Sequence, residues 1–104
     1  MSPAFSASAR AALMAQLDEA MGQAARDRVN AGAQALRAVV AVDLHLSFVG
    51  SGAGPWVATA QVIGGGKTMV FCEAQLRTAE GLLVAQAMGT YRACAPTPEL
   101  GPEG

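Results

Sequence analysis

Asp18 and Glu19 stand side by side within Leu17-Asp18-Glu19-Ala20-Met21-Gly22, and carboxylates are natural agents of acid–base chemistry. On a helix, adjacent residues lie about 100° apart around the axis, so the two acids meet different surroundings. Asp18 shares its edge with Met14, Met21, Gly22 and Ala25, whereas Glu19 shares its edge with Ala15, Gln16, Gln23 and Arg26. Asp18 therefore borders the apolar side and Glu19 belongs to the polar side. A carboxyl group beside apolar surface loses hydration, which favours its neutral form and suits it to proton transfer. Most helix carboxylates are merely solvated, however, and helical spacing alone favours that plainer role for Asp18.

Asp43, His45 and Ser47 contain the residue types of a catalytic triad. On a strand they fall in a row on one face, about 6–7 Å between neighbours. A nucleophile and its base need to be about 3 Å apart. The row reads instead as a polar outer or interface face, with His45 free to meet a ligand or a partner subunit. Gly64-Gly65-Gly66-Lys67-Thr68 lacks the spacing of a phosphate loop and leads into a strand rather than a helix, so it is first a hairpin turn. Lys67 could still meet a phosphate group as a point charge. Phe48, Trp56 and Phe71 read as core or interface. His45 is the only histidine, and the two cysteines, Cys72 and Cys94, are far apart. No metal site is expected, and the cysteines read as free thiols of a cytoplasmic protein.

These residues need elements to hold them. Ser6 or Ser8 can cap a helix, and Leu13, Leu17, Ala20, Met21 and Ala24 then recur on one helical face. The helix is expected to fade between Arg28 and Asn30, with Gly32 as its stop. From there the period becomes two. Val40, Val42, Leu44, Leu46 and Phe48 alternate with Val39, Ala41, Asp43, His45 and Ser47, the pattern of a half-buried strand. Further strands are expected at Trp56–Ile63, Thr68–Arg77 and Leu82–Arg92, with Val70, Cys72, Ala74 and Leu76 on the apolar side of the third. A hairpin connection is expected at Thr78–Gly81. Connections this short make the strands antiparallel. The class is therefore α+β, one long helix on one face of an antiparallel sheet of at least four strands. Residues 1–7 are expected to be a flexible N-terminus, 8–93 the domain, and the proline- and glycine-rich 94–104 a disordered tail.

With 104 residues the chain is expected to make one domain. Its hydrophobic residues reach 52% and its charged residues 14%, against about 25% charged in typical soluble chains. Such a small, charge-poor domain is expected to hide surface in a homo-oligomer. The net charge is −1 without a basic stripe, which argues against a nucleic-acid partner. No apolar run reaches membrane-spanning length, and the first residues lack the form of a signal peptide.

Four stretches taken in order resemble the hotdog-fold acyl-CoA thioesterases of the phenylacetate-pathway type. They are Leu17–Gly22, Val40–Phe48, Val57–Val62 running on to Gly66-Lys67-Thr68, and Gly81–Tyr91. The resemblance implies a helix wrapped by an antiparallel sheet, and a homodimer or homotetramer with active sites at the dimer interface. It implies hydrolysis of acyl-CoA to free acid and CoA, with the CoA part of the substrate and no separate cofactor. Asp18 matches the family's carboxylate, as base or nucleophile, while amides at the helix start hold the carbonyl oxygen. Gly22, Phe48, Lys67 and Thr68 become substrate-binding candidates. The chain departs from the pattern in two places. Ala9-Arg10-Ala11 stands where the family has a His-Gly-Gly turn preceded by a strand, and Ala41 stands where a Ser or Thr often orients the water. These departures motivate the alternative of a non-catalytic module that binds acyl-CoA or is purely structural. A hotdog dehydratase ranks last, because His45 sits away from the helix signature.

Overall fold

The computed structural model describes residues 6–50 and 54–96. Helix α1 spans Ala7–Asn30. Ser6 caps it by accepting a 3.1 Å hydrogen bond from the Ala9 amide, which satisfies one of the unpaired donors of the first turn. Ser6 and Ala7 thus belong to the helix start rather than to a flexible segment, and residues 1–5 of that segment lie outside the described residues. The buried helical residues are Leu13, Leu17, Met21, Gly22, Ala25 and Val29. This stripe follows an i, i+4 line, whereas the expected one passed through Ala20 and Ala24, which are only partly buried. The rotation turns the face towards Gly22 and Ala25, and so carries Asp18 nearer the sheet.

Four strands follow: β1 (Val39–Phe48), β2 (Trp56–Gly65), β3 (Met69–Thr78) and β4 (Leu83–Ala93). They form one antiparallel sheet in the order β1-β4-β3-β2. The α+β architecture of one helix against a four-stranded sheet is the one expected, with strand ends displaced by one or two residues. Val70, Cys72, Ala74 and Leu76 of β3 are buried beneath the helix with Val84, Ala87, Tyr91 and Ala93 of β4. Their neighbours, including Phe71, Glu73, Met88 and Arg92, point to the outer face, as strand alternation requires. The Thr78–Gly81 connection closes through Gly81 N–H to the Thr78 carbonyl at 2.9 Å.

β1 departs from its expected half-buried form, because it is largely exposed on both faces. The helix lies mainly against β2 and β3 and reaches β1 least. Val42, Leu44 and Phe48 therefore stay 50%, 37% and 40% exposed. The expected alternation is also broken by a bulge between Ala41 and Asp43. Leu44, Leu46 and Phe48 lie opposite Gly89, Ala87 and Ala85 on the helix side, while Val40 lies opposite outward-facing Arg92. A bulge adds one residue to one strand, so the side chains beyond it change face.

Loops tie the helix end to the sheet. The Asn30 side chain accepts from Arg37 N–H at 2.8 Å and donates to the Arg37 carbonyl at 3.0 Å. Arg37 Nε donates to the Cys94 carbonyl at 2.7 Å, and Cys94 N–H donates to the Ala38 carbonyl at 2.8 Å. Cys94 is therefore held to the sheet rather than part of a loose tail, and residues 97–104 of that tail lie outside the described residues. Between β2 and β3 the chain reverses at Gly65, whose φ is +96°. A Cβ there would stand 2.3 Å from the Met69 carbonyl oxygen, so no other residue fits this turn.

Candidate active site

Asp18 and Tyr91 meet where α1 crosses β4. The Tyr91 hydroxyl donates a 2.6 Å hydrogen bond to Asp18 Oδ1 and lies 3.3 Å from the Asp18 backbone carbonyl. Asp18 is half-buried and Tyr91 is buried. Burial raises the Tyr91 pKa far above its ordinary value of 10.0, and the hydrogen bond to Asp18 and the carboxylate's charge raise it further. The phenol thus stays protonated and remains a permanent donor. It fixes one carboxylate oxygen, which leaves the other lone pairs of Asp18 for a second partner.

Gly89 is what lets Tyr91 reach under the helix. A Cβ at Gly89 would stand 2.9 Å from the Tyr91 ring, 3.0 Å from Leu44 Cδ2 and 3.2 Å from Met21 Cε. Gly22 is looser, since a Cβ there would meet Arg26 at 3.5 Å and the Tyr91 ring at 3.8 Å. Asp18, Gly22, Tyr91 and Gly89 therefore form one cluster. Residues four apart share a helix edge, so Arg10, Met14, Asp18 and Gly22 line the flank towards β1. Arg10 lies over the Phe48 ring at 5.3 Å, and Met14 is 43% exposed. This flank is an open apolar strip with Asp18 at one end and Phe48 at the other.

The other expected site residues are not gathered here. Lys67 Nζ donates to the Ala31 carbonyl at 2.7 Å, and Arg28 donates to the Gly65 carbonyl at 3.1 Å. These cations fasten the β2–β3 turn to the helix C-terminus, where positive charge is favoured. That end lies about 20 Å from Asp18 at 1.5 Å per residue. Thr68 is in the same turn, where its carbonyl accepts from Ala93 N–H at 2.8 Å. The helix start is also remote. Asp18 follows Ala7 by eleven residues, about 16 Å along the axis, so one protomer does not bring those amides to the carboxylate. Ala9-Arg10-Ala11 lies within the helix, and Ala41 faces Tyr91 across the β1–β4 ladder.

Asp43, His45 and Ser47 line the outer face in a row, opposite Thr90, Met88 and Gln86. A hollow of about 400 Å³ there is lined by Asp43, His45, Ile63, Phe71, Met88 and Thr90, among others. It lies across the sheet from Asp18. Among the described residues no cluster of His, Cys, Asp and Glu could hold a metal ion, and no helix is long and apolar enough to cross a membrane.

Tyr91 is the site residue that reading the sequence missed. Its signal was present: on β4 it shares the alternation of Ala87, Gly89 and Ala93. A phenol on a buried face requires a polar partner.

A family model described as the thioesterase superfamily matches residues 10–85. A solved Bacillus halodurans protein, crystallised with CoA, is 26% identical, with a TM-score of 0.71 over 82% of this chain and 54% of that one. A Shewanella oneidensis protein related to the thioesterase superfamily is 20% identical, with a TM-score of 0.71 over 82% of this chain and 62% of that one. A conserved Pseudomonas aeruginosa protein is 23% identical, with a TM-score of 0.65 over 81% of this chain and 64% of that one. The chain spans less than two thirds of the length of each, and the latter two likenesses speak to the fold alone. No curated protein matches. The match over residues 10–85 is to the order of elements found here, a long helix and then antiparallel strands, and the chain belongs to the thioesterase superfamily.

Proposed function

We propose that the protein hydrolyses acyl-CoA thioesters to free acid and CoA, with Asp18 as the reacting carboxylate. The observation that carries this reading is the 2.6 Å Tyr91–Asp18 hydrogen bond at the end of the open apolar strip. Acting as a base, Asp18 takes a proton from water as the water oxygen attacks the thioester carbonyl carbon. The carbon–sulfur bond then breaks, and the departing CoA thiolate takes up a proton. Acting as a nucleophile, Asp18 attacks the same carbon, the carbon–sulfur bond breaks to release the CoA thiolate, which takes up a proton, and water then cleaves the resulting anhydride to free acid and the restored carboxylate. Met14, Leu44 and Phe48 line the strip and offer apolar contact to an acyl chain. The CoA-bound Bacillus halodurans structure supports CoA as the carrier. In this reading the site is completed at a dimer interface, Gly22 gives the substrate room beside Asp18, and Lys67 and Thr68 meet the CoA portion. The protein works in the cytoplasm, in keeping with Cys72 and Cys94 as free thiols.

The test is hydrolysis of an acyl-CoA panel by wild type and Asp18→Asn. Loss of a positioned base costs about 10²–10⁴-fold in rate, and a drop of that size is expected. Equal turnover by both proteins, or none by either, would sink the catalytic role. A second reading, a module that binds acyl-CoA without cleaving it, is favoured by the distance between helix start and Asp18 and by Ala41 opposite Tyr91. Calorimetric titration separates the two: binding without turnover supports the module.

A further inference from the structure

We propose that Arg10 is a specificity residue of this site, and that the acyl groups it selects carry a carboxylate at the end away from the thioester. The proposal rests on the acyl-CoA reading given above and names the substrate class within it.

The chain holds seven basic side chains, and most of them bind within the fold. Arg28, Arg37 and Lys67 donate to backbone carbonyls, and Arg77 donates to Gln75 and to the Gly81 carbonyl. Arg26 donates to Gln23 and faces Glu19 at 3.6 Å. Arg92 is exposed on the outer face of the sheet. That leaves Arg10, the basic residue on the helix edge that carries Asp18. Its guanidinium lies 5.3 Å from the centre of the Phe48 ring. Among the described residues no acceptor takes a hydrogen bond from that side chain. Arg10 is exposed, so an incoming ligand can reach it.

Stacking positions the guanidinium without using its donors. The ring face attracts the cation and favours one placement of a long side chain. All its N–H groups stay available in a planar fork, which suits an anion with two oxygens. A side chain already placed loses less freedom when that anion arrives.

The path between Asp18 and Arg10 decides which anion is met. Arg10 precedes Asp18 by eight residues in the helix, about 12 Å along the axis. The strip between them is lined by Met14, Leu44 and Phe48, each partly exposed. A ligand with its reacting carbonyl at Asp18 must lay methylene groups along that strip before reaching the guanidinium. A medium-length acyl chain ending in a carboxylate, as in suberyl-CoA, has this form. A CoA arm laid the same way would set its amides against side chains that offer them no hydrogen bond. A plain acyl chain would bring its methyl end to the cation and displace water from it without replacement. A short chain such as succinyl would leave its carboxylate over the apolar strip. At the full length, Asp18 repels the second carboxylate weakly, because the separation exceeds the screening length of about 8 Å in physiological salt.

The test compares kcat/KM of the full chain for suberyl-CoA and octanoyl-CoA, which match in chain length. Suberyl-CoA should be preferred about tenfold, as expected of a charge-assisted pair in a partly shielded site. The preference should shrink at high salt, and succinyl-CoA should show none over butyryl-CoA. Arg10→Gln should abolish the suberyl preference. Arg10→Lys should keep part of it, since it retains the charge and loses the fork and the stacking. Arg10→Glu should reverse it. Circular dichroism checks that each variant folds. Calorimetric titration of Asp18→Asn with the same two compounds repeats the comparison without turnover, and suberyl-CoA should again be favoured about tenfold. A binding preference that depends on Arg10, with no turnover by wild type, supports the proposal and overturns the catalytic reading alone. Equal use and equal binding of the two compounds overturns the proposal and leaves the acyl-CoA reading standing. A suberyl preference that survives Arg10→Gln also overturns it. So does an equal loss on both compounds in Arg10→Gln, which would assign the guanidinium to the CoA phosphates. Binding of neither compound overturns both readings.

Discussion

The Asp18–Tyr91 pair turns on atoms that are missing as much as on atoms that are present. At Gly89 an added methyl group would press on Tyr91, Leu44 and Met21 together. Gly89→Ala is expected to cost about 1–3 kcal/mol, as overpacking does, and to shift the phenol off Asp18. Gly22→Ala is the contrast. Its added carbon would sit at ordinary contact distances of 3.5 and 3.8 Å, and alanine suits a helix interior better by about 0.5–1 kcal/mol. Thermal melts should therefore show Gly22→Ala unchanged or stabilised and Gly89→Ala destabilised. A turnover defect in a stabilised Gly22→Ala would show that substrate uses that space. Tyr91 is the only tyrosine, so near-ultraviolet absorbance reports its ionisation alone. In the native protein the phenolate should stay absent beyond the ordinary tyrosine range. In Asp18→Asn it should form at lower pH, though still above 10.0, because burial is the largest cause of the shift and the carboxylate supplies only part. An unchanged titration would mean the 2.6 Å contact does not persist in solution.

At the scale of elements, legibility followed pattern strength. The helix, the four strands and the apolar face of β3 were readable because period 3.6 and period 2 are set by backbone geometry. The helix stripe was read slightly off axis, since Ala20 and Ala24 contribute too little apolar area to fix its rotation. Asp18 was placed on the correct edge, but its partner was not found, because register between α1 and β4 is set by packing and leaves no periodic trace. Lys67 illustrates a contact that spacing does not show: its glycine neighbours suggested a phosphate, and the fold also sets its ammonium on the Ala31 carbonyl at the helix end. β1 was misjudged because alternation states which residues share a face and says nothing about whether anything covers it. The bulge at Val42 had no sequence signal such as a glycine or proline. The cover itself makes a prediction. Leu17 and Leu76 are fully buried, and Leu82 is 62% exposed. Leu17→Ala and Leu76→Ala should each cost about 2–5 kcal/mol in denaturant unfolding, and Leu82→Ala should stay within about 0.5 kcal/mol. Comparable losses at all three would contradict a core lying between α1 and β2–β4.

Taken whole, the molecule has one wet and one dry side of a single sheet, and two groups able to release a proton are sealed on the dry side. Cys72 is fully buried, with its thiol donating to the Met21 carbonyl at 3.6 Å, and burial raises its pKa above the ordinary 9.0. Tyr91 is raised above 10.0, chiefly by burial and then by Asp18. Both groups hold their protons more tightly folded than unfolded. Linkage then fixes the sign: where the unfolded chain binds fewer protons, stability falls as pH rises. Their contribution is fully present below pH 9.0. It declines first as unfolded Cys72 ionises around 9.0, and further as unfolded Tyr91 ionises around 10.0. The expected outcome is a melting temperature that drops steadily above about pH 9, with no matching contribution from these groups at lower pH. Tyr91→Phe should flatten the part of the decline above 10.0, and Cys72→Ala the part that starts near 9.0. If both variants together keep the full alkaline slope, the sheet's dry side is open to solvent. The apolar strip beside Asp18 could not then exclude water from the rest of the core while admitting an acyl chain.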